Sequence, residues 1–230
     1  MTWYRFGEWI LRRRFIVLAV VGALTGFFGY YASQTQLVTS FGDLLPQNHP
    51  FIQVAHKYDQ YFGSVNNVTI MIEAREGTIY NTKIIQKIIR MTNNMDLVYG
   101  IQHGSVRSLA TQSYFRPLAG GVILNTPILP NGEIPRTAED LAELASNVHK
   151  NPGVVFGQFV SLDDKAAVIT GSFLESRLDY TRIFDEIRKI VVKPERDDTV
   201  HIYYGGQPIL YGWVYYYTPQ IFKIFIIRYN

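Results

Sequence analysis

Residues 15–32, FIVLAVVGALTGFFGYYA, are apolar without interruption and carry no charge. A helix rises ~1.5 Å per residue, so this run reaches about 27 Å. The hydrocarbon core of a bilayer is ~30 Å thick, and residues 33–36 extend the helix at little cost. The pattern therefore predicts a transmembrane helix over residues 15–36. A backbone in lipid has to satisfy its own hydrogen bonds, which is why a helix is expected there. A cleaved signal peptide has a shorter apolar core, about 7–15 residues. A core helix of a soluble protein keeps a polar face, and none is present. Arg12, Arg13 and Arg14 precede the run, with Arg5 further upstream, whereas the SQTQLVTS that follows has no basic residue. The excess of positive charge places residues 1–14 in the cytoplasm and the chain after the helix outside. Trp3, Tyr4 and Trp9 suit the inner interface, and Tyr30 and Tyr31 the outer one.

Beyond the helix the pattern becomes mixed. Pro50 opens an amphipathic helix over residues 50–62, in which Phe51, Val54, Ala55, Tyr58 and Phe62 recur at helical spacing. Residues 67–74, NVTIMIEA, read as a strand. Residues 82–95 read as a helix with Ile84, Ile85, Ile88, Met91 and Met95 on one face and Lys83, Gln86, Lys87 and Arg90 on the other. A second strand is expected over residues 106–111. Residues 114–136 are rich in turn residues, with a short strand over 122–124. Thr137 and Asp140 cap the next helix, whose apolar face is Leu141, Leu144, Ala145 and Val148, and Asn151-Pro152-Gly153 ends it. Residues 154–160 read as a strand or an extended packing segment, and Asp163-Asp164 as a turn. A strand over 165–174 and a helix over 178–192 follow, the helix burying Tyr180, Ile183, Phe184, Ile187 and Val191 and closed by Pro194. Residues 199–204 form the last strand, ended by Gly205-Gly206.

Two β-α-β units thus follow one another, which predicts an α+β domain over residues 37–206, with ferredoxin-like layers of helices on a sheet. Residues 207–230 are an aromatic lead-in to a second membrane helix. Its apolar core, residues 221–227, is too short to cross a bilayer, so the helix reads as truncated.

Composition narrows the function. Of 230 residues 18% are charged, and the net charge is +3. The basic excess sits at the N-terminus and is explained by topology, so no nucleic-acid partner is expected. The absence of cysteine excludes disulfides, thiolate metal sites and a cysteine nucleophile, and is compatible with a bacterial periplasm. Asp163-Asp164 and Asp197-Asp198 read as turns or solvated surface. His49, His56, His103, His149 and His201 are scattered without metal-ligand spacing. Asn67-Val68-Thr69 is a glycosylation sequon inside a predicted strand and carries little meaning there. No G-x-S-x-G occurs. Neither an enzyme nor a cofactor is expected. Asp43 is expected to order the loop after the membrane helix. The residues singled out for function are Tyr211, Trp213, Tyr215 and Tyr216, beside Tyr217. They form an interfacial aromatic belt, or a surface for a hydrophobic substrate at the membrane.

Several short motifs recur in a set order: Asp43-Leu44-Leu45-Pro46, Asn48-His49-Pro50, Tyr61-Phe62-Gly63, Leu178-Asp179-Tyr180, and the GGQPILYGWV that leads towards the end of the chain. In this order and spacing the chain resembles the start of RND-superfamily exporters of the MMPL type. The resemblance implies two similar halves, each with one membrane helix, a periplasmic porter domain and five more membrane helices. Such exporters move lipids or other hydrophobic molecules, driven by protons passing acidic residues of later membrane helices. The present chain matches the first helix and first porter domain, and residues 15–32 hold no acidic residue to carry a proton. The implied setting is the bacterial inner membrane with most of the chain in the periplasm. The implied partners are the lipid bilayer, a lipid or hydrophobic substrate, and a homo-oligomer or accessory periplasmic protein. The alternative is a single-anchor periplasmic binding or assembly module without transport activity.

Overall fold

The computed structural model describes residues 7, 9–34, 46, 48–54, 57, 66–118, 120–174, 177–192 and 198–228. The predicted features at Asp43-Leu44-Leu45, at Tyr61-Phe62-Gly63, over most of the 50–62 helix, and at Pro194 and Asp197 lie outside these residues. Residues 50–54 are helical, and the Phe51 amide donates to His49 Nδ1 at 3.2 Å.

The chain divides into two compact units, Met1–Val54 and Ala55–Asn230. The first contains α1 (Arg14–Gln34). Within it Arg14–Ala32 is long and apolar enough to cross a membrane, the only such helix among the described residues, and none of it is buried.

The second unit is mixed α+β. Its elements are β1 (Asn67–Ala74), α2 (Thr82–Asp96), β2 (Ser113–Pro117), β3 (Ile123–Pro127), α3 (Ala138–His149), β4 (Ala166–Ser172), α4 (Tyr180–Val192), β5 (Val200–Gly206) and α5 (Gln207–Arg228). Short 3-10 turns lie at Leu109–Thr111 and Pro130–Gly132. β1 is the centre of a three-stranded sheet in the order β4-β1-β5, antiparallel on both sides. Alternation puts Val68, Ile70, Ile72 and Ala74 on one face. There they join the core with Ile84, Ile85, Ile88, Met91 and Met95 of α2 and Ile183, Phe184, Ile187 and Val191 of α4.

Four expectations are corrected. Residues 106–111 are not a strand. Arg107 bridges Thr170 and Ile101 bridges Phe173 on the outer edge of β4, but Ser108 caps a 3-10 turn through its side chain and withdraws the backbone from the ladder. The turn-rich stretch is instead a two-stranded hairpin of β2 on β3, with Phe115 opposite Asn125. Lys87 belongs to the core side of α2. Its stem is buried and its Nζ reaches Thr199 Oγ1 at 3.4 Å. Gly205-Gly206 ends the last strand as expected, but the aromatic lead-in expected after it is helical from its first residue. The pair completes β5, and α5 begins at the next residue and runs for 22 residues. Residues 154–160 take the packing alternative: turns and isolated bridges that bury Val155, Phe159 and Val160.

Candidate functional site

The singled-out aromatics all lie on the first half of α5, and two glycines set its position. Gly206 adopts φ +124, and a Cβ there would run into the Asn67 carbonyl oxygen. Only glycine allows β5 to turn into a helix without a loop at this point. One and a half turns on, Gly212 has no side chain where Phe184 of α4 presses in. The two helices therefore approach closely. Pro219 sits inside α5 and supplies no amide to the preceding turn. Next to it the Thr218 hydroxyl donates to the Val214 carbonyl at 2.6 Å.

Around Gly212 the aromatic rings interlock. Tyr180 meets Tyr211 edge-on at 4.9 Å and lies nearly parallel to Tyr215 at 6.4 Å. Phe184, fully buried, contacts Trp213 at 4.9 Å and Tyr216 at 6.0 Å. Trp213 stacks on Tyr217 at 5.2 Å with the planes 6° apart. The Arg188 guanidinium stands 5.2 Å from the Tyr216 ring centroid. Such pairs stabilise by about 0.5–1.5 kcal/mol beyond the area they bury.

The structure thus separates the four residues. Tyr211 is buried, accepting a hydrogen bond from Gln207 Nε2 at 3.0 Å. Trp213 and Tyr215 are half-buried, and Tyr216 is exposed at its rim. Tyr211 is a packing residue, whereas Tyr216 and Tyr217 are presented outward. The exposed apolar surface then continues along Ile221, Ile224 and Phe225.

A second cluster had no signal in sequence spacing. His149 ends α3, Asp164 sits in a turn at φ +58, and Tyr80 lies in the link from β1 to α2. His149 Nε2 is 2.9 Å from Asp164 Oδ2, and the Tyr80 hydroxyl donates to Asp164 Oδ1 at 2.8 Å. The Phe156 ring packs edge-on against the imidazole at 4.7 Å. Burial, then the bond to Asp164 and its charge, push the Tyr80 phenol far above its ordinary value. Asp164 is therefore a tie between three segments and not the solvated turn carboxylate expected from sequence. Its neighbour Asp163 does behave as a turn residue, accepting from Ser161 Oγ at 2.6 Å and from the Lys165 amide at 3.2 Å. Asp198 is exposed and lies 4.0 Å from Arg75.

A third feature, a cavity of about 490 Å³, opens between α2 and the two 3-10 turns, with Ile89, Leu129 and Ile134 among its lining. Thr92 on its wall is already satisfied by Ser108 Oγ at 2.8 Å and the Ile88 carbonyl at 2.7 Å. Among the described residues no group of three His, Asp or Glu side chains could hold a metal ion. No model of a known protein family matches the chain, and no curated protein matches it.

Proposed function

We propose that this chain is the membrane-anchored first porter domain of an RND-superfamily exporter of the MMPL type. The complete protein would move lipids or other hydrophobic compounds, driven by protons, across a bacterial inner membrane. α1 anchors the chain with residues 1–14 in the cytoplasm, and the mixed domain lies in the periplasm. The domain shapes a path for the substrate and breaks no bond.

One observation carries this reading. β5 passes without a loop into α5, which is clamped by α4 along its first half and exposes Ile221, Ile224 and Phe225 beyond it. A domain of an exporter has to transmit its movements into membrane helices, and a loop-free junction is stiff enough to do so. The sheet supports the ferredoxin-like assignment. With the bridging segment around Arg107 in place of a strand, the order across the sheet is that segment, β4, β1, β5, and α2 and α4 share one face. The outward Tyr216 and Tyr217 then suit the membrane interface.

The test uses cells expressing the whole gene that encodes residues 1–230. Deleting that gene is expected to raise retention of the hydrophobic dye Nile red, and a protonophore is expected to raise it in wild-type cells alone. Unchanged retention in both arms rejects the exporter. A single-anchor binding module is the second reading, favoured by there being one helix among the described residues able to cross a membrane. It predicts unaltered dye retention together with a membrane-bound product.

A further inference from the structure

We infer that Thr218-Pro219 is a hinge, dividing α5 into a half fixed to the domain and a half that swings against it. This property is independent of whether the protein exports anything. Local chemistry weakens the helix at this point. Position 219 of a regular helix donates its amide to the carbonyl four residues back, and proline has no amide to donate. The proline ring also crowds the preceding turn. Thr218 acts in the same direction. Its hydroxyl donates to the Val214 carbonyl at 2.6 Å, a side-chain bond into the ladder of the kind that bends helices. Sharp kinks fall at prolines and where a side chain enters the ladder, and both causes meet here. Pro208 is different, because in the first turn of α5 its missing amide has no partner to lose.

Packing puts this weak point where the hold of the domain stops. Tyr211 and Gly212 are buried, and Trp213, Tyr215 and Thr218 are half-buried. Ring contacts from α4 reach Tyr216, through Phe184 at 6.0 Å and the Arg188 guanidinium at 5.2 Å. From Pro219 onward every residue of α5 whose burial is described is exposed, Gln220, Ile221, Lys223, Ile224 and Phe225 included. A hinge consists of a few residues that absorb the change in backbone angle between two rigid pieces. Here one piece is the domain with α5 up to Thr218, and the other is the helix beyond Pro219. A hinged rod passes on a push along its axis but not a twist. The loop-free junction of β5 with α5 therefore delivers displacement, and not rotation, to the residues past 219.

The chain has no cysteine, so pairs of introduced cysteines carry nitroxide labels without background. One label goes on α3 at Ala142→Cys, an exposed position. The second goes on α5, either at Leu210→Cys before the hinge or at Phe225→Cys after it, residues exposed by 62% and 60%. Phe225 lies about 9 Å along the axis from Pro219, so a bend of ~20–30° there carries it roughly 3–5 Å and leaves Leu210 in place. Distances are read by double electron–electron resonance on the full chain in lipid nanodiscs. The Leu210 pair is expected to give a narrow distribution, and the Phe225 pair one about twice as wide. Pro219→Ala is expected to narrow the Phe225 pair to the width of the Leu210 pair. Pro219 is itself exposed, and an unchanged Leu210 distribution verifies that the domain still holds α5 in that variant. Equal widths for the two pairs in the wild type, or a Phe225 pair that stays wide in Pro219→Ala, overturn the hinge.

Discussion

Tyr80 is half-buried, and its hydroxyl has one acceptor, Asp164 Oδ1 at 2.8 Å. Burial, then the bond to Asp164 and the second negative charge that ionisation would put beside that carboxylate, hold the phenol proton well above the ordinary value of 10.0. The sign of the linkage follows. A raised folded-state value gives a stabilisation that is complete below the unfolded value and is lost as pH rises above it. Denaturant unfolding of the wild type is therefore expected to weaken between pH 10 and pH 12, and that pH slope to shrink in Tyr80→Phe. At neutral pH the same substitution leaves Asp164 one donor short and is expected to cost about 1–2 kcal/mol. An unchanged slope in the variant would sink the assignment. Gly206 poses a different residue-scale constraint. Its φ of +124 and the Asn67 carbonyl leave no room for a Cβ. Gly206→Ala is expected to destabilise the domain by more than the ~1 kcal/mol of an ordinary glycine-to-alanine strain, read as a lowered unfolding midpoint.

At the scale of elements, α3 shows what local sequence can specify. Thr137 Oγ1 accepts from the Asp140 amide at 3.1 Å, and Asp140 Oδ2 accepts from the Thr137 and Arg136 amides at 3.1 Å. This reciprocal cap was legible because Thr and Asp three apart offer both halves of it. Thr137→Ala is expected to cost about 1 kcal/mol. The backbone bonds from Thr137 and Arg136 hold the Asp140 carboxyl below its ordinary value of 3.8. Its contribution is therefore present above that value and lost as pH falls through the lower folded-state one. Asp140→Asn should flatten the acid limb of stability below pH 4, as urea titrations would show. Glu186 of α4 is held down as well, although burial alone would raise it. The Tyr99 amide at 2.8 Å and Arg182 Nε at 2.8 Å outweigh that penalty. β1, α2 and α4 were legible for similar reasons, since alternation in NVTIMIEA and helical spacing of isoleucines need no partner to be read. The β2–β3 hairpin was not. Its tip residues Leu118 and Val122 are exposed and its strands run through Pro117 and Pro127, so neither alternation nor strand composition marks it.

Across the whole molecule the close contact of α4 with α5 decides how stiffly the domain is tied to what lies beyond Thr218. Phe184 is 1% exposed and touches Trp213, Tyr216 and the Gly212 backbone. Phe184→Ala is expected to cost about 3–5 kcal/mol. Amide exchange in residues 207–217 should rise with it, while α3 keeps its protection, and uniform loss everywhere would refute a local clamp. Trp213→Ala removes half-buried contacts only. Under the exporter reading proposed above it is expected to lower transport without lowering abundance, and equal losses of both would reject a substrate or interface role. For topology, an alkaline phosphatase fused after Asn48 should be active, and cytoplasmic retention of that reporter would contradict an external domain.

Whatever is written in short-range pattern came from the chain alone: an apolar helix, read over residues 15–36 and found over 14–34, the period-two strand at residues 67–74, the capped start of α3 and the isoleucine faces of α2 and α4. Each depends on neighbours within about one or two helical turns. Tertiary structure alone decided that the strand expected around Arg107 shrank to bridges, that His149, Asp164 and Tyr80 meet, and that residues 207–228 are one helix with Tyr211 inside and Tyr217 outside. Those outcomes depend on contacts between segments up to 84 residues apart, as from Tyr80 to Asp164. Packing against a distant surface selects among conformations that local preference leaves nearly equal.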